Sequence, residues 1–345
     1  MRAQLLPGPG TLGVILLCLA ATPPVAHKPP APQKRFYTVV DLGTLGGKES
    51  YAESVNDDGQ VAGMALSPDG PHAFLYDTGK MRDLDTLGGG KSTAFAINGK
   101  GQIAGQAENG DEIQHAFFYS EDNMTDLGTL GGAKSAARGI NDKGQIVGWA
   151  QTTDGSTHAF LWQDGEMTDI DGDSDFGSSA FAINGAGQVV GQVLVAENDI
   201  GHAFLISGGK MTDLGTLGGK SSLAWAINDK GQIVGAAQTA AGRYHAFLWD
   251  GSKLLDLGLL SGAKGSIARG INNAGEIVGY VDMGGNELRP FLYRNGKMLD
   301  LNTLLPPGSG WLLRSAHAIN DRGQIAGFGT HHGVLRAFLL SPPAK

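Results

Sequence analysis

Cysteine is nearly absent. The 345-residue chain has one, Cys18, inside an apolar run expected to be removed, so no disulfide, thiol chemistry or cysteine metal site is expected in what remains. Proline is scarce past the start, since seven of the 14 precede Gln33. Charged residues make up 17%, below the usual quarter. A net charge of −8 argues against the basic surface that a phosphate-backbone binder needs, so no nucleic-acid partner is expected. No apolar run reaches the roughly 20 residues of a membrane-spanning helix. No segment keeps a helical apolar period over about 10 residues. What is abundant is glycine, 55 residues, about twice the usual ~7% share. Apolar residues at 41% are enough for a core, which excludes bulk disorder. The glycines follow no Gly-X-Y period, which excludes collagen.

Residues 1–26 read as a signal peptide: Arg2, an apolar run over Thr11–Ala21, then small residues at Ala20, Ala21 and Ala26. Residues 27–35, with Pro29, Pro30 and Pro32, read as a stiff tether. Residues 36–341 are expected to form one repeat domain, followed by a short tail at 342–345. The protein is expected to be exported, to the periplasm or beyond, and to be a monomer.

Three motifs each occur seven times. Ile-Asn-x-x-Gly-Gln recurs, with small departures, at Asn56, Asn98, Asn141, Asn184, Asn228, Asn272 and Asn320, at spacings of 42 to 48 residues. Asp-Leu-Gly-Thr-Leu-Gly-Gly starts at Asp41, Asp83, Asp126, Asp169, Asp213, Asp256 and Asp300. His-Ala-Phe supplies Phe74, Phe117, Phe160, Phe204, Phe247, Phe291 and Phe338. A period in this range signals a propeller or solenoid. Each unit reads as four short strands; in the third these are Ala136–Asn141, Gln145–Ala150, His158–Trp162 and Met167–Ile170. Four strands per repeat is the blade of a β-propeller, here an all-β, seven-bladed one. The chain opens on a fourth strand, Tyr37–Leu42, and ends on a third, Arg336–Leu340. The two are expected to pair antiparallel and close the ring.

These units resemble the bacterial HAF repeat family, named for the triplet headed here by His72, His115, His158, His202 and His245. Arg289-Pro290-Phe291 and Arg336-Ala337-Phe338 depart from it. The resemblance covers about Tyr37–Leu340. It implies an extracellular location and assigns no reaction.

Each triplet histidine precedes an aspartate by eleven residues, and Arg289 keeps the same distance to Asp300. A base–aspartate pair across two strands is expected in every blade, the last joining Arg336 to Asp41. Arginine neither ligates metal nor acts as a base at neutral pH, so a structural role is expected. Gly218-Gly219-Lys220-Ser221 mimics the end of a phosphate-binding loop, but position 214 is leucine where that loop has glycine. Lys48, Lys91, Lys134, Lys220 and Lys264 read as solvated loop charges.

The copies differ three positions before each repeat asparagine: Glu53, Phe95, Arg138, Phe181, Trp225, Arg269 and His317. A propeller would gather these around its axis, either as a ligand ring or as packing between blades. Arginines and aromatics together suit a glycan, a peptide or a protein ligand. In the fourth unit Asp169, Asp171, Asp173 and Asp175 alternate, as a weak Ca²⁺ site would require, or form a solvated acidic loop. No paired carboxylates or Gly-x-Ser-x-Gly elbow support hydrolysis. The expectation is therefore a non-enzymatic binding scaffold. An axial-site lyase or hydrolase built on Glu53 and His317 is one alternative, and a purely structural surface protein is another.

Overall fold

The computed structural model describes residues 36–170, 176–196 and 200–343. The expected signal peptide and tether, Asp171, Asp173, Asp175 and the last two residues lie outside them.

Among the described residues the chain forms seven four-stranded antiparallel sheets. The third blade runs β10 (Gly131–Ile140), β11 (Ile146–Thr152), β12 (Thr157–Gln163) and β13 (Glu166–Asp169). Its inner strand begins earlier than the motif suggested. Asp164 and Gly165, at φ 55° and 88°, form the two-residue turn between β12 and β13, where a hairpin needs two left-handed residues. A 3₁₀ turn, Leu301–Leu304, lies before the last blade.

The last blade is built from β26 (Trp311–Ile319), β27 (Ile325–His331) and β28 (Val334–Ser341), and completed by β1 (Thr38–Asp41). β1 lies antiparallel to β28, with Thr38 opposite Ser341 and Asp41 opposite Phe338. The two ends of the chain thus close the ring as expected.

Each blade is anchored by its triplet phenylalanine, fully buried in all seven copies. Complete burial of such a ring is worth about 2–3 kcal/mol. Phe160 stands opposite Gly148 across the ladder. A Cβ on Gly148 would fall 2.0 Å from the Ala136 carbonyl oxygen, so only glycine fits there.

The repeat asparagine makes one hydrogen-bonding unit of each inner turn. Asn141 Oδ1 accepts from the Lys143 and Gln145 amides, both at 3.1 Å. Its Nδ2 donates to Gln145 Oε1 at 2.7 Å and to the Asn184 carbonyl of the next blade at 3.0 Å. Only an amide side chain can accept and donate in this way. The inter-blade bond repeats from every asparagine to the next and closes from Asn320 to the Asn56 carbonyl at 2.8 Å.

A second belt was not anticipated. The Ala116 amide donates to Ser135 Oγ of the following blade at 2.8 Å, and Ser135 Oγ donates to the Gly128 carbonyl. The serine one or two residues after the loop lysine, Ser135 after Lys134 and Ser222 after Lys220, is thus a staple between blades.

Candidate functional site

Every inner strand contains a β-bulge at the variable position. In β10, Ala137 pairs with Gly148 and Gly139 with Val147, which leaves Arg138 unpaired in the ladder. The same register shift isolates Glu53, Phe95, Phe181, Trp225, Arg269 and His317 in their strands. A bulge adds one residue, bends the strand and re-aims a side chain. The residues after it are small because neighbouring inner strands approach closely: a Cβ on Gly139 would fall 2.9 Å from Ala182 Cα.

The structure brings all seven side chains to one axial cavity of about 80 Å³. They are interlocked. His317 Nδ1 lies 2.8 Å from Glu53 Oε2, and Arg269 Nη2 lies 3.8 Å from the same oxygen. The Arg269 guanidinium sits 3.9 Å over the Trp225 ring, and Trp225 stacks on Phe181 at 4.6 Å. Arg138 sits 3.9 Å over Phe95. Burial alone would push the Glu53 carboxyl up, but His317, then Arg269 and Arg138, outweigh it and hold it below its usual range. Burial draws Arg138 down from its usual range, against the pull of Glu53. Among the described residues, neither Arg138 Nε nor Trp225 Nε1 has a hydrogen-bond partner, and both atoms are shielded from solvent.

A wider mouth of about 300 Å³ lies along the same inner strands. An apolar collar, Val55 and the isoleucines equivalent to Ile140, lines it together with the asparagine belt. Asp57, Asp142, Asp229, Asp321 and Asn273 line it as well, with Gly99 and Gly185 in the two remaining blades. Each of these carboxylates accepts a main-chain amide of an adjacent blade, as Asp142 does from Gly99 at 2.7 Å. This acceptor-rich rim was not singled out from the sequence. Its signal is the residue following each repeat asparagine.

The histidine–aspartate pairs stand on the outer strands. Five have the expected contact: His72–Asp83 at 2.9 Å, His115–Asp126 and His245–Asp256 at 2.8 Å, His158–Asp169 and His202–Asp213 at 2.7 Å. The pairing is diagonal, not directly across, because Phe160 is the residue opposite Asp169. The two arginine pairs are looser than expected. Arg289 bonds Glu287 at 2.8 Å and stays 3.9 Å from Asp300. Arg336 donates to the Lys48 carbonyl and stays 3.8 Å from Asp41. His331, on β27, takes Asp41 instead at 2.8 Å, held by a parallel stack on Trp311. The aspartates also accept amides of the following loop, as Asp126 does from Gly128 at 2.8 Å.

Asp169 is thus engaged by His158, and the other three aspartates of the acidic run lie outside the described residues. Among the described residues no group of three or more His, Cys, Asp or Glu is arranged to hold a metal. None of the described helices is long and apolar enough to cross a membrane.

Residues 154–337, just over half of the chain, match a family described as "Protein of unknown function (DUF3466)". No curated protein matches the chain. Among solved structures it is similar to a puromycin-hydrolyzing peptidase of Mycobacterium tuberculosis, at TM-score 0.57 and 12% identity over 84% of this chain and 52% of that one. The chain therefore spans about half the length of that peptidase. It is also similar to the β-propeller domain of the Trilobed protease from Pyrococcus furiosus, at TM-score 0.57 and 12% identity over 85% of this chain and 96% of that one. An acylaminoacyl peptidase of Pyrococcus horikoshii follows at TM-score 0.52 and 12% identity, over 86% and 54% of the two chains. At such identities the likeness shows the propeller fold alone. The Pyrococcus furiosus domain is described as having an open velcro topology, whereas here β1 joins β28.

Proposed function

We propose that this chain, which belongs to the DUF3466 family, is a non-enzymatic binding scaffold that acts outside the cytoplasm and seats its ligand at the axial mouth. The observation that carries the reading is the mouth of about 300 Å³, where four carboxylates and the asparagine belt converge, and the bulge ring on the same inner strands marks the axis as the place where the copies differ. Asparagines, phenylalanines and most staple serines repeat from blade to blade, while the seven bulge residues are chemically unlike and meet at one place. The resemblance to HAF repeats and the apolar run near residue 11 support export.

The ring itself is too small for a sugar or a peptide, since organic-ligand sites run to about 300–1,000 Å³. The mouth reaches the lower end of that range. Its carboxylates and amide oxygens favour a ligand rich in donors, which places a basic peptide segment or a protein partner's basic loop ahead of a neutral glycan. The alternating aspartates from Asp169 to Asp175 add a Ca²⁺ site to this reading. A melting temperature that falls on chelation, and no longer does so in Asp173→Asn, is its test.

The enzyme reading keeps one supporting feature, the partly buried Glu53–His317 pair. A cavity of about 80 Å³ beside it falls well short of the usual size of an organic-substrate site. The purely structural reading is separated by experiment. Lysine- and arginine-rich peptides, neutral oligosaccharides and acidic peptides are titrated against the purified chain, with melting temperature as the readout. A saturable rise with basic peptides, lost in the Asp142→Asn, Asp229→Asn double variant, supports the scaffold. A flat response in all three classes overturns it in favour of the structural role.

A further inference from the structure

The axial cage holds more positive charge than its own residues neutralise. Two guanidinium groups, Arg138 and Arg269, face one carboxylate, Glu53. That carboxylate is already bonded to His317 at 2.8 Å, and Arg269 approaches it only to 3.8 Å. Arg138 makes a stacking contact with Phe95 and, among the described residues, no hydrogen bond from Nε. Arg269 likewise stacks on Trp225 at 3.9 Å and, among the described residues, makes no polar contact nearer than that 3.8 Å approach. Both groups donate and cannot accept. Two guanidiniums lining one cavity, under a surplus of positive charge, favour an anion as the group that answers them.

We propose that this cavity binds one small monoanion, of halide, nitrate or formate size, held by Arg138 and Arg269. Its volume of about 80 Å³ lies well below that of organic-ligand sites. That admits a few-atom anion and excludes a longer carboxylate. Water answers the donors less well, because its own hydrogens find Glu53 as the single carboxylate acceptor in the ring. An anion accepts from every donor and removes the charge surplus. The inference shares the axial location with the scaffold reading but uses a different cavity, so either can fail without the other.

The full chain is exchanged into a chloride-free buffer with gluconate, too large for the cavity, as bulk anion. Chloride, nitrate, formate and butyrate are then titrated at constant ionic strength, with melting temperature and calorimetry as readouts. A saturable response to at least one of the three small anions, and none to butyrate, is expected. Arg138→Met should weaken that binding at least tenfold. Arg269→Met should weaken it several-fold. Glu53→Gln should tighten it by removing the competing charge. Lys264→Met, on an exposed loop, should leave it unchanged. If Arg138→Met does not fold, the Arg269→Met comparison decides. An anion response identical in wild type and Arg269→Met, a merely linear response to all salts, or butyrate binding as tightly as formate overturns the proposal.

Discussion

Pro290 stands where six blades have alanine, and Ser315 Oγ, the acceptor it would otherwise serve, has no hydrogen-bond partner among the described residues. In the other six blades that alanine amide donates to the staple serine of the next blade, at 2.8 to 3.0 Å. Proline has no N–H to give. Ser135→Ala should therefore cost about 1–2 kcal/mol by stranding the Ala116 amide, whereas Ser315→Ala should change stability by less than ~0.5 kcal/mol. Pro290→Ala should add about 1 kcal/mol. Urea unfolding of the three variants checks the set, and equal losses for both serines would refute it.

Asn184→Asp keeps the oxygen that holds its own turn but loses the donor to Gln188 and to the Asn228 carbonyl, at 2.8 and 3.1 Å. A buried carboxylate against two acceptors should cost on the order of 2–4 kcal/mol. Gln188→Glu should cost under ~1 kcal/mol. Blade six already works this way, with Asn272 Nδ2 donating to Glu276 Oε2 at 3.1 Å. Thermal melts of the two variants compare the terms directly.

Glu53 is held below the ordinary carboxyl range, so the unfolded chain takes up the proton first as pH falls. Its contribution is complete above about pH 5 and is lost as pH drops from ~4.3 through the lower folded value. Glu53→Gln should be destabilised at pH 7 by on the order of 2 kcal/mol. The gap to wild type should narrow below pH 4, as stability curves from pH 3 to 7 would show. A constant gap would mean that the Glu53 charge does not matter.

A permuted chain in which residues 36–48 follow residue 343 should fold and melt within a few degrees of wild type. Thr38 already lies opposite Ser341, so the new junction is a short hairpin. Simple deletion of residues 36–42 should instead expose the β28 edge and remove Tyr37, which is 4% exposed, from the core beside it. Size-exclusion chromatography should find the permutant behaving as wild type does and the deletion aggregated.

The blades, their count and the closing strand were legible because three motifs kept step over the whole chain. The axial ring was legible for the opposite reason, as one position that varied among fixed neighbours. That each of the seven is a bulge was hidden, since a bulge is a two-against-one count that needs the partner strand. Its trace is Gly148 and its equivalents, the glycines that accommodate the displaced Ala136-type carbonyls. The diagonal offset of His158 and Asp169 was missed by taking the loop length without the register. His331 replaced Arg336 at Asp41 because it belongs to a different strand of the blade, outside any triplet. The cavity volumes depend on how the side chains interlock, which spacing alone does not convey.

The pairing of Thr38 with Ser341 also sets a kinetic condition. β1 has its partner in β28, about 300 residues later, so the ring stays an open arc until β28 is available. Contacts of such long sequence separation raise the contact order and slow the final step. Until then the arc carries two unpaired edges, and at high concentration two arcs can satisfy each other before either closes. Refolding yield should therefore fall with protein concentration even though every blade is local in sequence.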